Sequence, residues 1–271
     1  VTLDKRRDGE GVTLEEGVRS VLSGDTDVVI LSVKPDRRGG GGIETDAAVG
    51  GDLAVRDVKV LPSGSIIFPG SFNPIHVGHV SLAETAQKRL TKDGDDDDGV
   101  VPSVFFEIGV VNADKPPLEN AHVLRRVALI GDQMKDKDYP WGVILTSKPL
   151  FVQKVDTLVK YLDSGSSAAN KLNFVIGTDT MVRILDPKYY SDSYDQMTAS
   201  LTNIKNQGVH FIVGGRLQQI KNQGGGQLFV NGKMELETLP ADLQTLFTLL
   251  SENDFRVDIS STELRKQTGD E

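Results

Sequence analysis

Cysteine is absent from the 271 residues, which excludes disulfides, thiolate metal sites and a cysteine nucleophile. Histidine is scarce, with four in the chain, so any pair of histidines close in sequence stands out. No apolar run approaches the ~20 residues of a membrane-spanning helix, and no membrane partner is expected. Positive charge is in deficit, with 30 Lys and Arg against 39 Asp and Glu and a formal net charge of −9. Nucleic-acid binding needs a basic face, so none is expected, although a local basic pocket for a nucleotide is compatible with that balance. The chain holds no G-x-x-x-x-G-K-[ST] phosphate loop and no usable G-x-G-x-x-G fingerprint, which sets aside a Walker-type NTPase; Gly224-Gly225-Gly226 reads as a flexible tip. The first residue is Val1, not methionine, so the chain reads as a fragment of a longer protein with an upstream domain. The lack of a targeting segment is then uninformative, while the lack of cysteine suits an intracellular enzyme of the cytosol or an organelle matrix.

What the chain does hold is a globular composition, 38% hydrophobic and 25% charged. Residues 1–60 differ from the rest. Leu14 to Leu22 suggests a short helix and Asp27 to Val33 a strand, followed by the Gly-rich break Gly39 to Gly42. One helix and one strand are too few to bury a core alone. We therefore expect an N-terminal appendage and linker over 1–60 and a single domain over 61–271.

From Ser65 onward apolar runs alternate with helical spacing. Strands are expected at Ser65–Phe68, Val104–Val111, Val143–Thr146, Leu172–Ile176, Val209–Val213 and Phe255–Ile259. Helices are expected from about His79 (apolar Val80, Ala83, Ala86 and Leu90), over Asn120–Met134, Phe151–Leu162 and Tyr194–Asn206, and from Pro240 to Leu250. The segment 217–236 reads as a surface loop or weak hairpin. This alternation predicts an α/β fold with a doubly wound parallel sheet. Ligands in such sheets bind beyond the carboxyl ends of the strands. Five polar or Gly-rich clusters, at 70–79, 112–117, 177–180, 214–216 and 260–265, each follow an expected strand and would converge there.

The first cluster is Gly70-Ser71-Phe72-Asn73-Pro74-Ile75-His76-Val77-Gly78-His79. It pairs a tight turn with a helix start whose free N–H groups attract anions, and Gly70 and Gly78 allow close approach of a phosphate. The last cluster, Ile259-Ser260-Ser261-Thr262-Glu263-Leu264-Arg265, has the pattern of a capped helix start. Its hydroxyls and N–H groups suit an anion, and Arg265 can add a bidentate contact; an ordinary capped helix has the same pattern. Lys92 to Gly99, rich in aspartate, reads as a solvated loop because no calcium-type spacing is present.

These two clusters together resemble the H-x-G-H and I-S-S-T-x-x-R motifs of the nucleotidylyltransferase superfamily. The form is that of nicotinate/nicotinamide mononucleotide adenylyltransferases, in a branch typical of plants and fungi. The resemblance covers about residues 62–268 and implies a Rossmann-like HUP fold. It also implies transfer of a nucleotidyl group from ATP, with Mg²⁺, to a mononucleotide-like acceptor. His76, His79 and Arg265 would then be catalytic. Gly70, Ser71, Phe72, Asn73, Gly78, Ser260, Ser261 and Thr262 would line the nucleotide phosphates. Gly177 and Asp179 match a G-x-D that contacts the adenosine part, although Asp179 also suits a helix N-cap. Arg216 stands where the family often places a basic residue. Lys115 and Arg126 would meet the acceptor phosphate; a solvent lysine in a Pro-rich turn, or a role for neighbouring Arg125, remains the alternative. Tyr190, in Pro187-Lys188-Tyr189-Tyr190, takes the place of a tryptophan near the pyridine, or else packs in the core. No residue is nominated as a metal ligand. Other phosphorylated acceptors, CTP as donor, and a nucleotide-binding or ATP-hydrolysing module without transfer stay open.

Overall fold

A computed structural model of the chain describes residues 13–33, 56–57, 60–93, 101–111, 116–163, 171–219 and 227–256. In chain order the elements are α1 (Leu14–Ser23), β1 (Val28–Val33), β2 (Arg56–Asp57), β3 (Ser65–Pro69), α2 (Val77–Asp93), β4 (Val104–Gly109), α3 (Asn120–Met134) and β5 (Trp141–Thr146). They continue with α4 (Phe151–Leu158), β6 (Leu172–Gly177), α5 (Thr178–Ile184), α6 (Tyr194–Asn206), β7 (Val209–Gly214), β8 (Arg216–Gln219), β9 (Gln227–Val230), α7 (Lys233–Leu236), α8 (Ala241–Gln244) and β10 (Phe247–Leu249).

The strands form an 8-stranded sheet in the order β10-β7-β6-β3-β4-β5-β1-β2, with β8 and β9 as a separate hairpin. From β10 to β5 every pairing is parallel. Near-continuous apolar strands produce this because each is buried on both faces. Along β4, Val104, Phe106 and Ile108 join one core cluster and Phe105 the other, and the same alternation runs through β1, β3, β5, β6 and β7. The first cluster is covered by α1, α2 and α3, the second by α4, α5, α6 and α8. The expected doubly wound α/β sheet is therefore present. Strand order reverses between β3 and β6, which opens the crevice beyond their carboxyl ends as the natural ligand site.

Two expectations need correction. Residues 14–33 do not stand apart as an appendage: β1 pairs antiparallel with β5 along its whole length, from Val28 opposite Thr146 to Val33 opposite Trp141. Val18 and Val21 of α1 and Val29 and Leu31 of β1 lie in the first core cluster. Gly142 makes the close pairing fit, since a Cβ there would run into the Leu31 carbonyl and meet the Phe105 ring at 2.8 Å. One helix and one strand cannot make a core, but they can complete an existing one. The Gly-rich break 39–42 lies outside the described residues.

The second correction is near the C-terminal end. Only Ala241–Gln244 of the expected helix 240–250 is helical, and Phe247–Leu249 is the parallel strand β10 beside β7. The Phe247 ring stacks on Phe211 at 5.0 Å, an aromatic pairing that helical spacing would have turned away. The expected strand 255–259 is not formed at Phe255 and Arg256, and the remainder lies outside the described residues.

Candidate active site

The turn after β3 is built around one buried aromatic. Phe72 has a left-handed backbone (φ 43°), and the Asn73–Pro74 peptide bond is cis. The Phe72 side chain is fully buried and lies over Gly70, where an added Cβ would be 2.6 Å from the ring. Only glycine fits beneath it. The Gly70 N–H donates to the Glu107 carbonyl at 3.0 Å, tying the turn to β4. Phe72 meets Phe68, Phe106 and His79 edge-on, at 5.6, 5.4 and 5.2 Å.

At the start of α2 the H-x-G-H spacing has a mechanical meaning. The His76 Nδ1 accepts the Gly78 N–H at 3.1 Å, and the His79 Nδ1 accepts the His76 N–H at 3.2 Å. The His76 carbonyl in turn accepts from the His79 N–H at 2.9 Å. Two imidazoles thus do the capping usually done by Ser or Thr and Glu: His76 takes the second N–H of the helix, at Gly78, and His79 reaches back to the N–H of His76. The ring centroids are 3.7 Å apart. In each ring the nitrogen facing the backbone acts as acceptor, so Nε2 carries the proton in the neutral form. Burial pushes the His76 imidazole below its ordinary value. His79 is lowered to about 3, by burial first and then by His76. Both rings are therefore neutral hydrogen-bond donors at neutral pH.

Other expected site residues converge on the same rim. Arg126 on α3 donates from Nη1 to the Ser71 carbonyl at 3.0 Å, which joins that helix to the turn. Its neighbour Arg125 is exposed on the same helix. Across the crevice, Gly177 occupies the N-cap of α5, so Asp179 lies inside the first turn and is not the cap. The Asp179 carboxylate pairs with Arg216 Nη2 at 2.8 Å, and both side chains are more than half exposed (67% and 52%). Thr178 is buried beside them and donates to the Gly214 and Val230 carbonyls, each at 3.2 Å. This fixes the end of β6 against β7 and the β8–β9 hairpin.

Tyr190 ends the short 3-10 turn Pro187–Tyr190 and packs against the second core cluster. Its hydroxyl donates to the Ile184 carbonyl at 2.9 Å, and burial pushes its pKa up to about 12. Lys115, Ser260, Ser261, Thr262 and Arg265 lie outside the described residues. So does most of the aspartate-rich run.

One cluster was not foreseen. Glu107, in the middle of the apolar run of β4, is fully buried. Its carboxylate accepts two hydrogen bonds from Lys154 Nζ on α4, at 2.8 and 2.7 Å, and one from Thr146 on β5 at 2.5 Å. The signal was available, because a carboxylate inside a strand buried on both faces requires a counter-charge. Among the described residues no three His, Asp or Glu side chains are grouped to hold a metal ion.

The chain matches the cytidylyltransferase-like family over residues 67–267, a span that takes in the end of β3, the histidine pair and the Ser260–Arg265 segment. It belongs to that family. The family's chemistry is nucleotidyl transfer, for which a helix start with two neutral N–H donors at the reversal of strand order is a suitable anion site. No curated protein matches the chain.

Proposed function

We propose that the chain transfers the adenylyl group of ATP to a phosphorylated, mononucleotide-like acceptor, nicotinamide or nicotinate mononucleotide, and releases pyrophosphate. A phosphate oxygen of the acceptor attacks the α-phosphorus, the bond to the β-phosphate bridge breaks, and the electron pair leaves with pyrophosphate. The acceptor oxygen is already anionic, so no covalent enzyme intermediate is required. The protein positions two anions and stabilises the charge that spreads over the transferring phosphate.

The observation that carries this reading is the pair of imidazoles whose Nδ1 atoms accept backbone N–H groups, which leaves two Nε2–H donors at the first turn of α2. His76 and His79 donate to the triphosphate, with His79 at the developing charge. Ser71, Ser261, Thr262 and Arg265 hold the β- and γ-phosphates. The Gly177 to Asp179 turn and Arg216 face the nucleoside. Lys115 and Arg126 serve the acceptor phosphate. Mg²⁺ enters as the complex of the triphosphate, and no step depends on a protein-held metal.

The test is pyrophosphate release with ATP or CTP, Mg²⁺ and a panel of phosphorylated acceptors. Release with ATP that requires a nicotinamide or nicotinate mononucleotide supports the proposal. A preference for CTP, or for another acceptor, replaces the substrate and keeps the transfer. Phosphate release without an acceptor, or tight nucleotide binding with no release, overturns transfer in favour of a hydrolase or a binding module.

A further inference from the structure

Phe72 is an unusual side chain to bury at a left-handed position. A non-glycine residue at positive φ is held there against steric cost, so the surrounding structure must determine it. Its ring covers Gly70, presents an edge to His79 at 5.2 Å, and completes with Phe68 (5.8 Å from the same imidazole) an aromatic enclosure around that histidine. Inside the enclosure the His79 Nδ1 accepts the His76 backbone N–H. A protonated imidazole has no lone pair and cannot accept that bond. The capping geometry and the cationic form are therefore incompatible.

We propose that Phe72 is a positioning residue: it closes the enclosure that locks His79 as the Nε2–H tautomer, so the histidine acts on phosphate by donating one oriented hydrogen bond and not by carrying positive charge. For its consequence in catalysis the proposal rests on the nucleotidyl-transfer reading, while the lock itself is a property of the free protein. The groups around His79 agree with it. Phe68 from β3 and Phe72 from the turn present apolar rings, and His76 from the helix start presents a second imidazole lowered by burial. From α3 the charged group that reaches this turn is Arg126, bound to the Ser71 carbonyl.

The test is long-range ¹H–¹⁵N NMR of the full chain labelled at histidine, without nucleotide, over a pH series. Wild-type His79 is expected to show the Nε2–H pattern and to resist protonation well below its ordinary 6.5. In Phe72→Leu, and in Phe72→Gly, which also suits the left-handed backbone, the His79 titration should climb toward 6.5. Nδ1 should become protonated as it does. With substrates, wild-type turnover should lack a histidine ionisation between about pH 7.5 and 5.5, whereas the variants should acquire one. An Nδ1–H tautomer or ordinary titration in the wild type overturns the lock, and unchanged titration in both variants removes Phe72 from it. If the variants fail to fold, the wild-type spectrum alone decides the tautomer. Failure of the lock leaves nucleotidyl transfer standing, and absence of pyrophosphate release leaves the lock standing.

Discussion

The starts of α1 and α2 solve one problem with different chemistry. At α1, Thr13 Oγ1 accepts the Glu16 N–H at 3.2 Å and the Glu16 carboxylate accepts the Thr13 N–H at 3.1 Å. At α2 the His79 Nδ1 likewise accepts the N–H three residues back, that of His76, whereas the His76 Nδ1 accepts from Gly78, two residues on. In the first box the Thr13 hydroxyl also donates to the Glu16 carboxylate, at 3.1 Å, and the pair lies exposed. The second uses rings with two nitrogens, one spent on the backbone and one left to donate. Under the proposed function, a helix start becomes a site when its capping groups have a second functional atom and sit where the strand order reverses.

The strongest way to break the comparison is to remove the first box with everything it holds. A chain beginning at Val60 would lose Val18, Val21, Val28, Val29, Ile30 and Leu31, all buried. At about 1.5–3 kcal/mol for each such side chain, the loss is comparable with the whole net stability of a domain, about 5–15 kcal/mol. We expect this chain to aggregate or to melt without cooperativity, as seen by calorimetry. Independent folding would return α1 and β1 to the status of an appendage.

Next in size is the separation of capping from chemistry at the start of α2. Asparagine is among the best N-cap residues, so His76→Asn should keep the melting temperature while removing an Nε2–H donor, and turnover should fall sharply. His79→Ala should cut turnover by a factor of about a hundred or more and leave nucleotide affinity largely intact. If His76→Asn were fully active, that ring would be a cap and nothing more.

Acid sharpens the contrast. Burial holds His76, His79 and His210 below the ordinary 6.5, with His79 at about 3. In that window the unfolded chain binds protons that the folded chain does not, so stability rises with pH. The histidine contribution is full above about 6.5 and is lost as pH falls toward the folded values. Thermal unfolding followed from about pH 7.5 to pH 4.5 should show a declining midpoint, and the decline should be shallower in His79→Gln. An equal slope in both proteins would place the acid sensitivity elsewhere.

Smallest is the loss of the ordinary cap. Thr13→Ala should cost about 1 kcal/mol of stability, read from denaturant unfolding, with turnover unchanged. A change in turnover would show that the two helix starts communicate.

Parts of this were legible without coordinates. The apolar runs named the buried strands, and Val80, Ala83 and Ala86 gave the inner face of α2, which the core confirms. The H-x-G-H stretch named the two imidazoles of the candidate site. That its two imidazoles cap the helix was hidden because histidine is not a usual N-cap residue, although the three-residue spacing was the available clue. The side chains of Asp179 and Arg216 could be placed on one rim from their strands, but their pairing could not, since it depends on the β6–β7 register.

By itself, then, the sequence determined local periodicity and the tight turn at Gly70 that leads into α2, because those depend on neighbours a few residues apart. Which partner each element found was left to tertiary structure. Phe247 to Leu249 is short enough to read as helix or strand, and the open edge of β7 with the Phe211 ring decided it. Asp27 to Val33 reads as a strand with no partner in its own neighbourhood, and β5 supplied one more than a hundred residues later, at a glycine that lets the backbones meet. Glu107 required a cation that no local pattern could name, and α4 brought Lys154 to it. Non-local pairing follows from which surfaces remain uncovered once the sheet forms, and only the assembled fold contains that information.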